Sequence, residues 1–172
     1  MKILLSGLIA ATALCGLATP VAAQPRRAMA PDRATMTYVA SAGAGDMYEI
    51  QSSQIAVRRA RDPRVRAFAT MLVTDHQRTT QQVLAAARES GMRPGPAMLA
   101  PAQRQMIRQL ERAGPMQFDR LYLAQQIPAH QQALVLHQRY ARTGNAPALR
   151  RVASGAVPVV QEHLAHARQM AR

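Results

Sequence analysis

Residues 62–91 read DPRVRAFATMLVTDHQRTTQQVLAAARESG, and this stretch decides the fold class. Val65, Phe68, Ala69, Leu72, His76, Thr79, Val83 and Ala87 recur at intervals of three and four, which lines them along one face of an α-helix. Asp62-Pro63 is a helix start: the aspartate side chain can accept from a free N–H of the first turn, and proline there has no N–H to waste. Gly91 is the matching stop, because glycine adopts the left-handed conformation that ends a helix. His76 therefore lies inside a buried stripe.

The pattern extends in both directions. Upstream, Tyr38, Ala42, Gly45, Glu49, Ser53, Ala56 and Ala60 share one helical face, so Glu49 points inward. Downstream, residues 91–115 hold Gly91, Pro94, Gly95, Pro96, Pro101, Gly114 and Pro115 around a short helical patch at Gln103 to Arg112, a long crossover rather than a tight turn. Leu123, Ile127, His130, Leu134, His137 and Ala141 mark a third long helix, closed by Thr143-Gly144-Asn145. Leu149, Val152, Ala156, Val160, His163, Ala167 and Met170 mark a fourth, which Pro158 should kink.

Pro63-Arg64-Val65-Arg66-Ala67-Phe68-Ala69 parallels Pro147-Ala148-Leu149-Arg150-Arg151-Val152-Ala153, so the chain holds two similar hairpins. No period-two strand pattern of useful length occurs. The expected fold is all-α: a ferritin-like four-helix bundle of two helical hairpins joined by a long crossover with a short extra helix.

The N-terminus carries Lys2, an apolar run from Ile3 to Ala18, and small residues at Val21 to Ala23, the pattern of a secretory signal peptide over residues 1–23. The run is too short to favour a membrane span. Cys15, the one cysteine, lies inside it, and Leu14 directly before it makes a poor lipoprotein signal. Residues 24–33 read as a flexible Pro/Arg-rich leader, and residues 34–172 as the bundle domain. The expected location is periplasmic or outer-membrane-associated, with no transmembrane helix after cleavage.

The formal net charge is +13, and every basic residue after Lys2 is an arginine. Such a surface favours anionic envelope components: lipopolysaccharide phosphates, lipid headgroups or an acidic protein. Nucleic acid is not expected, because the chain is exported and lacks interleaved aromatics for base stacking. Arginines crowd both hairpin turns. Arg64, Arg66, Arg150 and Arg151 sit in first turns of helices, where positive charge opposes the helix dipole by about 0.3–1 kcal/mol each. That repeated placement makes these four the candidate anion-binding residues.

Four inward polar residues fall near one level. Glu49 lies about 12.5 positions before the first turn and His76 about 14.5 after it, so at ~1.5 Å per residue they differ by roughly 3 Å in height. His130 and His163 flank the second turn with a mismatch of roughly 6 Å. Glu49, His76, His130 and His163 form a candidate ligand set for Zn, Cu or mononuclear Fe. His137, two turns from His130, can only be structural or support a ligand, and His166 is off the stripe and reads as exposed.

A ferroxidase di-iron centre is not supported, because such centres use two Glu-x-x-His pairs. Here Val73, Ile127, Leu134, Val160 and His163 stand three before the histidines. Asp75 and Glu162 directly precede His76 and His163 and so point about 100° away. Asp119 is about 16 Å along the axis from His130 and should pair with Tyr122 near a helix start. The di-iron ferroxidase motif is therefore incomplete.

Gly45-Asp46-Met47-Tyr48-Glu49, Phe68-Ala69-Thr70-Met71-Leu72-Val73-Thr74-Asp75-His76, Phe118-Asp119-Arg120-Leu121-Tyr122 and His163-Leu164-Ala165-His166-Ala167 together resemble the ferritin-like exported bacterial proteins catalogued as a domain of unknown function and often labelled predicted outer-membrane proteins. The resemblance covers about residues 34–170. It implies a ferritin-like bundle and an envelope location, and no activity. The family commonly has an acidic residue before the third-helix histidine, and this chain has Pro128-Ala129-His130, so His130 lacks that orienting carboxylate. Two functions follow: a bundle that binds a divalent metal at its midplane, with a role in envelope stress or metal handling, or a non-catalytic protein that binds anionic envelope components through its arginines.

Overall fold

The computed structural model describes residues 31–172, so the expected signal peptide at 1–23 and most of the leader at 24–33 lie outside the described residues. The described chain is all helix, with no strand: α1 (Arg33–Arg59), α2 (Pro63–Glu89), α3 (Pro101–Arg112), α4 (Pro115–Thr143) and α5 (Pro147–Met170). None of these helices is long and apolar enough to cross a membrane.

The helix ends follow local chemistry. Asp32 caps α1 by accepting from the Thr35 amide at 2.7 Å, so the helix starts one residue before the expected domain boundary. Asp62 caps α2 through the Arg64 amide at 2.7 Å. At the other end Gly91, at φ 78°, is the one described residue with a positive φ. Its amide reaches the Arg88 carbonyl and that of Met92 reaches Ala87, both at 2.9 Å, which satisfies carbonyls the helix end would otherwise leave free. The crossover patch starts at Pro101, two residues earlier than its pattern suggests. Pro128 and Pro158 both lie inside unbroken helices.

α1 packs against α2 and α4, α5 packs against α4 and α2, and α3 lies on α1 and α4. Contacts along the interfaces give the directions. The Asp119 carboxylate at the start of α4 accepts the Arg61 and Asp62 amides of the first turn, at 3.1 and 2.8 Å. At the far end, Thr35 at the start of α1 donates to Asn145 of the second turn at 2.6 Å. Neighbouring long helices are therefore antiparallel, and the two turns lie at opposite ends. Asp119 does not pair with Tyr122 as expected; Tyr122 is fully buried and shares a 2.8 Å hydrogen bond with Ser53.

The core is interrupted midway. One apolar cluster, built on Phe68, Leu72, Leu110, Phe118 and Leu123, fills the end beneath the first turn. A second, built on Tyr38, Val83, Tyr140 and Leu149, fills the other end. Between them each long helix turns a polar residue inward: Asp46 and Glu49 from α1, His76 from α2, His130 from α4 and His163 from α5, all buried. Burying a polar group without a partner costs about 1–3 kcal/mol, so a polar layer across a helical core calls for a reason beyond packing.

Candidate metal centre

His76, His130 and His163 meet in this layer. Their ring centroids form a near-equilateral triangle with sides of 5.6, 5.6 and 5.4 Å. One ring nitrogen from each lies within 4.8 Å of the other two. Nitrogens bound to one tetrahedral ion at 2.0–2.1 Å stand about 3.3 Å apart, so small inward rotations of the rings would close the set.

Each ring has one nitrogen anchored and the other free. His76 Nδ1 is 2.8 Å from Asp46 Oδ1, and Asp46 Oδ2 in turn accepts from Thr80 at 3.1 Å. His163 Nε2 is 3.1 Å from Asp75 Oδ2. His130 Nδ1 is 2.9 Å from the Gln126 carbonyl of its own helix. The opposite atoms, His76 Nε2, His130 Nε2 and His163 Nδ1, are buried and have no hydrogen-bond partner, and so does Glu49 Oε2. Glu49 stands beside His130, with Oε1 3.6 Å from its Nδ1. Of the four residues named from the sequence, the three histidines could hold a metal ion together, whereas Glu49 stands beside the anchored face of His130 and outside that group.

The electrostatics fit a site that is neutral on two of its three rings. Burial, reinforced by the charge on His76, pushes His130 down to about 3. Burial and the same charge also lower His163, against the pull of Asp75. For His76 burial acts downward too, but the hydrogen bond to Asp46 and the charges of Glu49, Asp46 and Asp75 overcome it and hold the ring above the ordinary histidine value. Burial raises Glu49 to about 7, although the nearby His76 charge opposes that rise.

Sequence reasoning missed Asp46, although it stands three residues before Glu49 and therefore on the same helical face. It expected Asp75 to point away from His76, and Asp75 does so, reaching across to orient His163 on another helix. The absent acidic neighbour of His130 is replaced by a backbone carbonyl. His137 lies outside the triad, with Nδ1 3.1 Å from the Tyr38 hydroxyl. His166 is half-buried rather than exposed, edge-on to Phe68 at 6.4 Å.

The four candidate anion-binding arginines all have local partners. Arg66 donates to the Ala60 and Arg61 carbonyls at 2.7 and 3.0 Å, and Arg150 donates to the Gly144 carbonyl at 2.9 Å. Arg64 pairs with Asp62 at 2.7 Å and Arg151 with Glu89 at 3.0 Å. Arg66 and Arg150 occupy equivalent positions in the two hairpins, and each neutralises the C-terminal carbonyls of the helix before it. Their placement therefore needs no external anion to explain it.

A family model matches residues 18–170. The chain belongs to the family described as Domain of unknown function (DUF4142). Among solved structures, a DUF305 fragment from Deinococcus radiodurans is similar at TM-score 0.71 and 16% identity, over 82% of this chain and 97% of that one. CopM in its Cu(II)-bound form is similar at TM-score 0.69 and 18% identity, over 80% and 95% of the two chains. Its Cu(I)-bound form gives 0.67 and 18%, over 79% and 94%. Likeness at these identities is likeness of fold. No curated protein matches this chain.

Proposed function

We propose that this protein is an envelope metal-handling protein that holds one divalent ion, with copper favoured over zinc or iron, among His76, His130, His163 and Glu49. The scaffold we assign is a ferritin-like bundle of two hairpins joined by the crossover that contains α3. The observation that carries the reading is the convergence of three buried imidazoles from α2, α4 and α5, each with one nitrogen within 4.8 Å of the other two and one nitrogen without a hydrogen-bond partner. Three neutral imidazoles and a carboxylate suit copper, zinc or iron, and divalent affinity for such donors peaks at copper. The copper-bound forms of CopM, which shares the fold, add support for that choice.

Such an ion would be held by His76 Nε2, His130 Nε2 and His163 Nδ1, with Glu49 supplying negative charge. Asp46, Asp75 and the Gln126 carbonyl fix which nitrogen of each ring faces inward, and so keep the free lone pairs directed at one point. Elemental analysis of protein purified without a histidine tag tests this. Near one equivalent of metal is expected, falling to background in His76→Ala and His130→Ala with helicity retained. A parent protein that stays metal-free after reconstitution with copper, zinc and iron overturns it.

A further inference from the structure

A cavity of about 340 Å³ opens directly onto the histidine cluster. His76, His163 and Glu49 line it, while His130 does not and is fully buried behind them. The cluster thus has a closed side and an open side. The walls mix small residues, among them Ala42, Ala129, Ala133 and Ala156, with the larger Tyr48 and Leu136, and Ser41 and Gln132 are exposed at its margin. About 30 Å³ is one water's share of liquid volume, so the space exceeds what a single metal-bound water fills.

Gly45 borders the space at its α1 wall, beside Asp46, and its φ is not positive. A Cβ built there meets no atom within 4 Å. Glycine inside a helix costs about 1 kcal/mol relative to alanine, and neither backbone strain nor a close neighbour requires it here. Gly43, two residues earlier, differs: a Cβ there would stand 3.2 Å from Ala97 of the crossover. The space at Gly45 faces three polar side chains, Glu49, His76 and His163, that are each more than nine-tenths buried and lack a partner for one donor atom.

We propose that this cavity is a ligand site over the metal, in which a small molecule with one nitrogen, oxygen or sulfur donor and an apolar body of about five-membered-ring size occupies the ion's open position. The inference rests on the metal-binding reading. His130 closes the far side, so the open position faces the alanine-lined space. The donor coordinates the ion, and the alanines and Gly45 accommodate the body. Structural ions are enclosed by protein ligands, whereas sites that act on or pass on a ligand keep one position open.

Cobalt(II)-loaded protein tests it, because its visible spectrum reports each change of coordination. Imidazole and azide serve as a larger and a smaller probe, with bound cobalt quantified after desalting. Both are expected to shift the bands saturably in the parent while cobalt stays bound. Gly45→Leu fills the cavity with a better helix former and is expected to weaken imidazole binding at least tenfold, with azide binding and cobalt content retained. Ala133→Leu, from the opposite wall, should do the same. Cobalt-loaded parent whose spectrum ignores both probes overturns the open site, as does unchanged imidazole affinity in both variants. Should the parent take up copper but no cobalt, the copper(II) d–d band is read against the same probes and variants with the same outcomes; a parent that takes up no cobalt, copper, zinc or iron overturns the metal reading, and this inference with it.

Discussion

At the residue scale, the site depends as much on what holds the rings as on the rings. Asp46 and Asp75 each accept from the outward nitrogen of a histidine, and removing such an orienting carboxylate typically costs ten- to a hundredfold in metal affinity. Asp46→Asn is therefore expected to lower affinity by about that factor with unchanged circular dichroism, measured by competition against a chromophoric chelator. Proton competition gives a second test. Glu49, pushed up to about 7 by burial, and His76, held above its ordinary value against burial by Asp46 and its acidic neighbours, both bind protons more tightly than free side chains do and so set protons in competition with an ion. His130, pushed down to about 3 chiefly by burial, and His163, also lowered, are already neutral at pH 7. Protonation of the ligands opposes the ion, so affinity should fall as pH drops below about 7, by roughly tenfold per unit for each proton displaced. Calorimetry in buffers of different ionisation enthalpy should find at least one proton released per ion near neutrality; no release would contradict this assignment. Glu49 and the three histidines were legible because helical periodicity and distance from a turn fix both face and height. Asp46 was not, because an acidic side chain three residues from another reads as surface until a histidine from a second helix is seen against it.

At the element scale, the helices were legible because their ends carry local signals: Asp62-Pro63, Pro147 and Gly91 act through backbone chemistry within a few residues. What Arg59, Arg66 and Arg150 do was not legible, since their partners are carbonyls whose exposure depends on how the helices dock. Arg66 and Arg150 look misplaced at helix starts and in fact tie down the preceding helix ends. Arg59 goes further, donating to the carbonyls of Leu110, Glu111 and Ala113 at 2.7, 2.6 and 2.6 Å, with its guanidinium 5.2 Å from the Phe118 ring centre. It thus satisfies the free C-terminal carbonyls of α3 and fastens the crossover to α1. Hydrogen bonds from charged donors contribute about 1.5–3 kcal/mol in favourable cases, and Arg59 is only half-buried. Arg59→Met should cost about 2–3 kcal/mol in urea unfolding, while exposed Arg64→Gln should stay within about 0.5 kcal/mol. Equal effects would show that the α3 anchor contributes nothing particular.

At the scale of the whole molecule, charge and metal act in different places. The two basic turns lie at opposite ends, and Arg64 and Arg151 are exposed, each in an ion pair that solvent screens. They can exchange those partners for an external anion more readily than Arg66 and Arg150, which hold the turns. Arg64→Gln with Arg151→Gln should therefore reduce low-salt binding to anionic vesicles without lowering the melting temperature; unchanged binding would leave the arginines as a solvated surface. The metal, by contrast, would act at the centre. Its ligands would come from α2, α4 and α5, with Glu49 of α1 beside them, so unfolding any one long helix disturbs the site, and binding to the native state alone stabilises the entire fold by mass action. At a free ion concentration a hundred times the dissociation constant that gain is about 2.7 kcal/mol, or a rise in melting temperature on the order of 10 °C for a domain of this size. The apo protein should be the less stable form and should still fold, since the apolar clusters on either side of the polar layer do not depend on the ion. His76→Ala should abolish the metal-dependent rise while leaving the apo melting temperature within a few degrees of the parent. Hydrogen exchange would locate the effect: added metal should slow exchange in all four long helices together, and slowing confined to one hairpin would mean that the ion does not bridge the two.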